Sequence, residues 1–368
     1  MKKYFLPVKI IFGEKSYQKL FSELEGAGVK KPLLICGSHF VSSFKYKDFE
    51  EKVPVFEVFT GVEPNPSTST VDRAASLLNS SQCDAVVGIG GGSVLDAAKV
   101  VACMHGFKKS CESFYRKPPH RKNRVPFFAV PTTSGSGSEA TRYSVLTRSD
   151  GSKKTLRHDL FYARVAIVDP ELTYSMPPEV TAATGIDAFC QSVEAYWAKT
   201  ATPQTDAFAA EAIGLAYHSI FKAVNDPDKQ ARQNMSLASL CAAQAFSNTG
   251  TTACHQVSYP LTRHFGLVHG FAVAITLQWF LGFYSEKGGK AGEKCLEICR
   301  LIGAKTIAEG REKLIGLLSS IGAPTKLREI GCRPEDFQKI VAVCLEERPQ
   351  NPRKHTKEDI ERMLAEIC

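Results

Sequence analysis

No stretch of the 368 residues approaches the roughly 20 consecutive apolar residues that a membrane-spanning helix needs. A secretory leader is not expected either. The opening MKKYFLPVKIIFG has the basic start of one, but Pro7 and Lys9 interrupt the apolar run that would have to follow, and the segment reads as a first strand. A cytoplasmic protein is the expectation. There is no Cys-x-x-Cys pair, so a structural zinc knuckle is excluded; the twelve cysteines are spread from Cys36 to Cys368 in a chain long enough to need no disulfides. Cys295 and Cys299, one helical turn apart, read as core packing. No basic arm or block is present either: 46 Lys and Arg against 38 Asp and Glu give a net charge of +8, but the cations are scattered. Nucleic acid is therefore not an expected partner, and the charge favours anionic small molecules at most.

What the chain does have is alternation. Short apolar, β-rich runs at 32–36 (PLLIC), 53–59 (VPVFEVF), 84–90 (DAVVGIG), 125–131 (VPFFAVP) and 165–169 (VAIVD) are separated by helical patterns. This predicts a mainly parallel, doubly wound sheet with helices on both faces. After Met176-Pro177-Pro178 the strand-like runs stop, and Ala-rich helical segments such as 206–223 and 233–247 take over. The expected organisation is an α/β domain over 1–178 followed by an all-helical domain over 179–368.

Two loops in the first half carry chemistry. In DAVVGIGGGSVLDAAKVVA an apolar strand runs into Gly90-Gly91-Gly92-Ser93 and then an amphipathic helix. Glycines let the backbone approach a pyrophosphate, and the free N–H groups of the helix start favour its charge. The pattern is neither Gly-x-Gly-x-x-Gly nor a Walker loop. The second loop, Pro131 to Glu139, follows the next strand and is crowded with hydroxyls and glycine, at the strand end where doubly wound sheets bind ligands.

Together with Glu63-Pro64-Asn65-Pro66, GGGSVLDAAK, PTTSGSGSEAT, IVDPELTYSMPP, GIDAFCQSVEAYW and the His255–Gly270 segment, these loops resemble the iron-containing alcohol dehydrogenase family in the family's order over most of the chain. The resemblance implies an N-terminal dinucleotide-binding domain, a C-terminal helical domain of the dehydroquinate synthase-like architecture, a bound metal and a homo-oligomer. It places cofactor contacts on Asn65, Gly91, Gly92, Ser93, Asp96, Thr132, Thr133, Ser136, Thr141 and Lys154. Where many NAD-preferring members have an acid after the second strand, this chain reads Cys36-Gly37-Ser38. Without a carboxylate to repel a 2′-phosphate, and with Ser38 able to donate to it, NADP is preferred over NAD.

The resemblance also implies the metal ligands Asp187, His255 and His269, with Gln191 where iron-binding members have a histidine and Tyr259 where a further histidine often stands. An O, N, N set suits iron or zinc with an open position, and Gln191 either completes the shell through its amide oxygen or orients a bound oxygen. Asp187, His255 and His269 are then the catalytic set, polarising a carbonyl that accepts hydride from the nicotinamide. Arg263 and His264 read as a polar helix end. The Asp187/Gln191 pattern with TTACHQVSYPLT is similar to the branch of phosphonoacetaldehyde reductases, which form 2-hydroxyethylphosphonate; Lys154, Arg263 and Arg353 are its candidate anion partners. Competing readings are a general alcohol dehydrogenase of the same family, a dehydroquinate synthase-type lyase, against which Asp187 in place of Glu argues, and a catalytically degenerate cofactor-binding protein.

Overall fold

The computed structural model describes residues 3–346 and 348–368. It divides into two units, one over Leu6–Tyr174 and the other over Ser175–Cys368 together with the first residues up to Phe5. The division precedes the Pro178 expected from the loss of strand patterns, and local bonds explain why. The buried Arg232 guanidinium donates to Met176 O at 3.0 Å and Thr181 Oγ1 at 2.6 Å, tying the segment before Pro178 to the helical unit. Phe5 N donates to Asn248 Oδ1 at 2.8 Å, which does the same for the N-terminal residues.

The first unit contains strands β1 (Lys9–Phe12), β2 (Pro32–Cys36), β3 (Glu57–Phe59), β4 (Ala85–Gly90), β5 (Phe127–Pro131), β6 (Tyr143–Thr147), β7 (Lys153–Arg157) and β8 (Val165–Val168), with helices α1 (Lys19–Gly26), α2 (Ser38–Val41), α3 (Phe44–Lys52), α4 (Thr68–Ser80) and α5 (Gly92–Val101). Six strands form a parallel sheet in the order β1-β8-β5-β4-β2-β3, while β6 and β7 pair as a separate antiparallel hairpin. Period-two alternation sorts the sheet's side chains. Leu33, Ile35, Val86, Phe127 and Ala129 pack under α4 and α5, whereas Leu34, Cys36, Val87, Ile89, Phe128 and Ile167 pack under α1 and α3. Burial on both faces is why these strands read as continuous apolar runs. The chain leaves β2 toward β3 on one side and returns to β4 on the other, so the crevice beyond the carboxyl ends of β2 and β4 is the switch point where such sheets bind ligands.

The hairpin was not visible as strands in the sequence; Leu146 and Leu156 pack it into the core under α5, and a buried charged cluster adds to that hold. Asp96 of α5 accepts from Ser138 Oγ at 2.5 Å and Val145 N at 2.8 Å. Lys99, one turn on and fully buried, donates to Ser138 O, Thr141 O and Tyr143 O at 2.8, 3.2 and 2.7 Å and lies 3.6 Å from Asp96. Burial pulls the Lys99 ammonium down to about 8, against Asp96 and Glu139, which hold its charge.

The second unit is helical among its described residues: α6 (Pro178–Trp197), α7 (Pro203–Asn225), α8 (Lys229–Thr249), α9 (Ala253–Phe265), α10 (His269–Ala274), α11 (Leu277–Ser285), α12 (Gly289–Leu301), α13 (Ile307–Ser320), α14 (Phe337–Cys344) and α15 (Lys357–Ile367), with short 3-10 turns. Thr202 and Asp228 cap α7 and α8 by accepting from backbone N–H groups three residues on, which stops each helix outside its apolar run. Helix α6 is buried along nearly its whole length among α7, α8 and α10, so its polar residues are not a solvated face. Cys295 and Cys299 lie in this core, and burial raises both thiols, to about 12 and about 11, as expected of packing residues. No helix is long and apolar enough to cross a membrane.

Replacing Lys99 with Met leaves the half-buried Asp96 without its cation and strips three carbonyls of a donor. We expect Lys99→Met to lose about 3 kcal/mol of stability in urea unfolding, with the far-UV spectrum of the folded protein retained.

Candidate active site

At the ends of β4 and β5 the two sequence loops meet. Gly91 is the N-cap of α5. A Cβ on Gly92 would stand 2.6 Å from Ser136 Oγ, and one on Gly91 would stand 3.3 Å from Thr133. Only glycine lets the backbone lie so close to the hydroxyl loop. Thr132 N donates to Gly90 O at 3.0 Å, and Ser93 Oγ accepts from Asn65 N at 3.2 Å, with Asn65 in the left-handed region at φ 56°. Asn65, Gly91, Gly92, Ser93, Thr132, Thr133 and Ser136 thus converge on the start of α5, whose free N–H groups suit a pyrophosphate. Gly37 and Ser38 lie across the switch point, at the end of β2.

Three of the residues expected to touch the cofactor have other engagements. Both Asp96 oxygens are taken by Ser138 and Val145, and Thr141 Oγ1 lies 3.3 Å from the buried Lys99 ammonium. Lys154 is exposed on β7, with its ammonium 5.9 Å from the Tyr115 ring centroid.

In the helical unit, α6, α9 and α10 bring Asp187, His255 and His269 together, with one ligand atom of each within 4.8 Å of the others. His255 Nε2 is 3.4 Å and His269 Nε2 3.9 Å from Asp187 Oδ1, which is buried and accepts no hydrogen bond. Donors sharing one cation at bonds of ~2.1 Å in tetrahedral geometry stand ~3.4 Å apart, so the residues fit a divalent metal. Burial opposes charge on Asp187, but the two imidazoles outweigh it and hold the carboxyl below its ordinary range. Burial likewise opposes charge on His255, yet Glu194 and Asp187 together raise its ring to about 10.

Gln191, one turn after Asp187, faces it at 2.9 Å. A carboxylate only accepts, so the nitrogen of the amide is turned toward Asp187 Oδ2, leaving Oε1 buried and without a partner. The amide therefore clamps Asp187 with Oδ1 aimed at the histidines, and its own oxygen can ligate a cation or accept a hydrogen bond from a substrate hydroxyl.

Sequence reading missed Glu194. It is fully buried on α6, and its Oε2 is hydrogen-bonded to His255 Nδ1. The signal was available: Asp187, Gln191 and Glu194 follow the i, i+4, i+7 spacing of one helix face. Also missed was Arg348, whose guanidinium lies 5.8 Å from the Tyr259 ring centroid and 3.3 Å from Thr252 O. Arg353, by contrast, is committed to Glu286 at 3.1 Å and to the Phe283 ring. Arg263 and His264 are exposed in the last turn of α9, which ends on Gly266.

The sequence model of iron-containing alcohol dehydrogenases matches residues 7–170, and that of the family's C-terminal domain matches 181–368. The chain belongs to the iron-containing alcohol dehydrogenase family. The sulfoacetaldehyde reductase of Bifidobacterium kashiwanohense, solved with NAD+, superposes with a TM-score of 0.93 at 32% identity over 100% of this chain and 98% of that one. The NADPH-dependent butanol dehydrogenase of Clostridium saccharobutylicum is 31% identical over 99% of this chain and 97% of its own. Long-chain-alcohol dehydrogenase 1 of Geobacillus thermodenitrificans is 42% identical over 62% of this chain and 59% of its own. As a member of the family, this chain is an oxidoreductase acting on alcohols and aldehydes with a nicotinamide cofactor and a metal.

His269 depends on a close approach of two helices. A Cβ on Gly270 would stand 1.9 Å from Ala183 O, so Gly270→Ala must push α10 away from α6 and carry His269 from Asp187. We expect a loss of about 1–3 kcal/mol in thermal unfolding and at least a tenfold loss of bound metal after dialysis.

Proposed function

We propose that this enzyme reduces a small anionic aldehyde of the phosphonoacetaldehyde class with NADPH, with Asp187, His255 and His269 holding iron or zinc and Gln191 offering a further oxygen. The observation that carries this reading is the convergence of two imidazoles on one buried carboxylate oxygen, that of Asp187.

The nicotinamide would supply hydride to the carbonyl carbon, and the carbonyl oxygen would take a proton from solvent to give the alcohol. A divalent cation at the three donors would act as a Lewis acid toward that oxygen as its negative charge grows. Asp187 supplies the negative charge of the donor set, and the Gln191 amide keeps its free oxygen directed at the two rings. In the first unit, the start of α5 with Gly91, Gly92, Ser93 and the Thr133–Ser136 loop binds the pyrophosphate. Gly37 has open space around its Cα and φ −78°, and with Ser38 it leaves room for a 2′-phosphate.

An anionic substrate is supported by the reductase of a sulfonated aldehyde among the structural neighbours. It is also supported by Arg348, which lies over Tyr259 one helical turn from His255 and whose charge also acts on Glu194. Relatives that act on uncharged alcohols keep a general alcohol dehydrogenase as the second reading.

The test is turnover by metal-stripped enzyme with iron, zinc or nothing restored, comparing NADPH with NADH and phosphonoacetaldehyde with propionaldehyde. Metal-dependent NADPH oxidation with a kcat/KM at least tenfold higher for the phosphonate is expected. Equal rates with propionaldehyde would select the second reading, and absence of turnover under every condition would contradict both. Gly37→Asp, which the backbone accommodates, is expected to raise KM for NADPH on the order of tenfold through like-charge repulsion while sparing NADH; an unchanged ratio would contradict the NADP assignment.

A further inference from the structure

The buried carboxylate of Glu194 does more than pack. Its Oε1 accepts from Thr252 N at 3.0 Å, Thr252 Oγ1 at 2.6 Å and Cys254 N at 2.9 Å. These N–H groups belong to the first turn of α9, which has no side-chain cap of its own from Thr252. Trp197 Nε1 completes the cluster by donating to Thr252 Oγ1 at 2.9 Å. The backbone donors cannot turn, so they fix the carboxylate in rotation, and its remaining oxygen, Oε2, meets His255 Nδ1.

We propose that Glu194 is the positioning residue of the metal centre, holding the His255 ring with its proton on Nδ1 so that the Nε2 lone pair faces Asp187. This rests on the reading that Asp187, His255 and His269 bind a metal. An ionised carboxylate only accepts, so Nδ1 is the donor to it, and the ring nitrogen 3.4 Å from Asp187 Oδ1 is the one left to coordinate. Outer carboxylates of this kind orient metal-binding imidazoles and raise their basicity.

The substitution Glu194→Gln separates this role from packing. The backbone N–H groups of Thr252 and Cys254 require an acceptor at the Oε1 position, so the amide oxygen must sit there and the amide NH₂ must face Nδ1. The ring then accepts at Nδ1 and carries its proton on Nε2, where the metal would bind. Thr252→Val is the comparison, because it removes a hydroxyl donor and leaves the Trp197 N–H unpaired while Glu194 keeps its acceptor at Nδ1.

Zinc affinity is measured by competition with a chromogenic chelator at fixed pH, and the His255 tautomer by ¹⁵N shifts in histidine-labelled protein. Zinc-loaded wild type is expected to show a protonated Nδ1 and a coordinating Nε2. Glu194→Gln is expected to bind zinc about 10–100-fold more weakly and to show the Nε2–H tautomer without metal, while Thr252→Val loses less than about threefold in affinity at this scale. A wild-type ring coordinating through Nδ1 would overturn the proposal even if the variant fails to fold. Unchanged affinity and tautomer in Glu194→Gln would overturn it alone, as would equal losses in both variants, which would mark loosened packing. Wild type that binds no zinc would overturn the metal reading itself.

Discussion

Two carboxylates on one buried helix, Asp187 and Glu194, govern the helical unit. Each has been taken out of water, which is costly unless the charge is met, and each is met in a different way. Glu194 is answered by the first turn of α9 and by His255, so its charge is spent on placing a neighbouring helix and a ring. Asp187 is only half answered, with Gln191 on one oxygen and two imidazole edges beside the other. Helix α6 can carry both because it is buried among α7, α8 and α10, and Gly270 lets α10 approach it closely enough to deliver His269.

The α/β unit is built around a closeness of backbone rather than a buried charge. Gly90, Gly91 and Gly92 pack where a Cβ would collide with Val94, crowd Thr133 or collide with Ser136, respectively. That packing brings the hydroxyl loop over the start of α5 and creates the nest of N–H groups beyond the sheet's carboxyl edge. Behind it, the Asp96–Lys99 pair anchors the β6–β7 hairpin and the 138–143 segment. Charge adds in this segment to the apolar packing of Leu146 and Leu156.

Much of this was legible in the sequence, for physical reasons. Parallel strands covered on both faces must be apolar throughout, so PLLIC, DAVVGIG and VAIVD announce themselves. VPVFEVF predicted a longer strand than the Glu57–Phe59 that forms at the sheet edge, where Pro54 gives no N–H to a ladder. The hairpin was hidden because β7 is polar and mostly exposed, and part of its hold comes from side chains some fifty residues earlier. Asp96 and Thr141 were read toward the cofactor, since sequence alone does not distinguish an acid or hydroxyl facing a ligand from one tied to a buried lysine. Asp187, His255 and His269 were found through the family resemblance, and the structure brings them together. Glu194 shares a helix face with Asp187 and Gln191, but nothing in the sequence ties that face to a histidine sixty-one residues later.

Binding of a divalent metal by Asp187, His255 and His269 is tested most directly by anomalous diffraction at the zinc edge from crystals grown with zinc. One strong peak bonded to Asp187 Oδ1, His255 Nε2 and His269 Nε2 is expected. A protein that takes up zinc at other residues, or shows no peak at these three at saturating zinc, would contradict it.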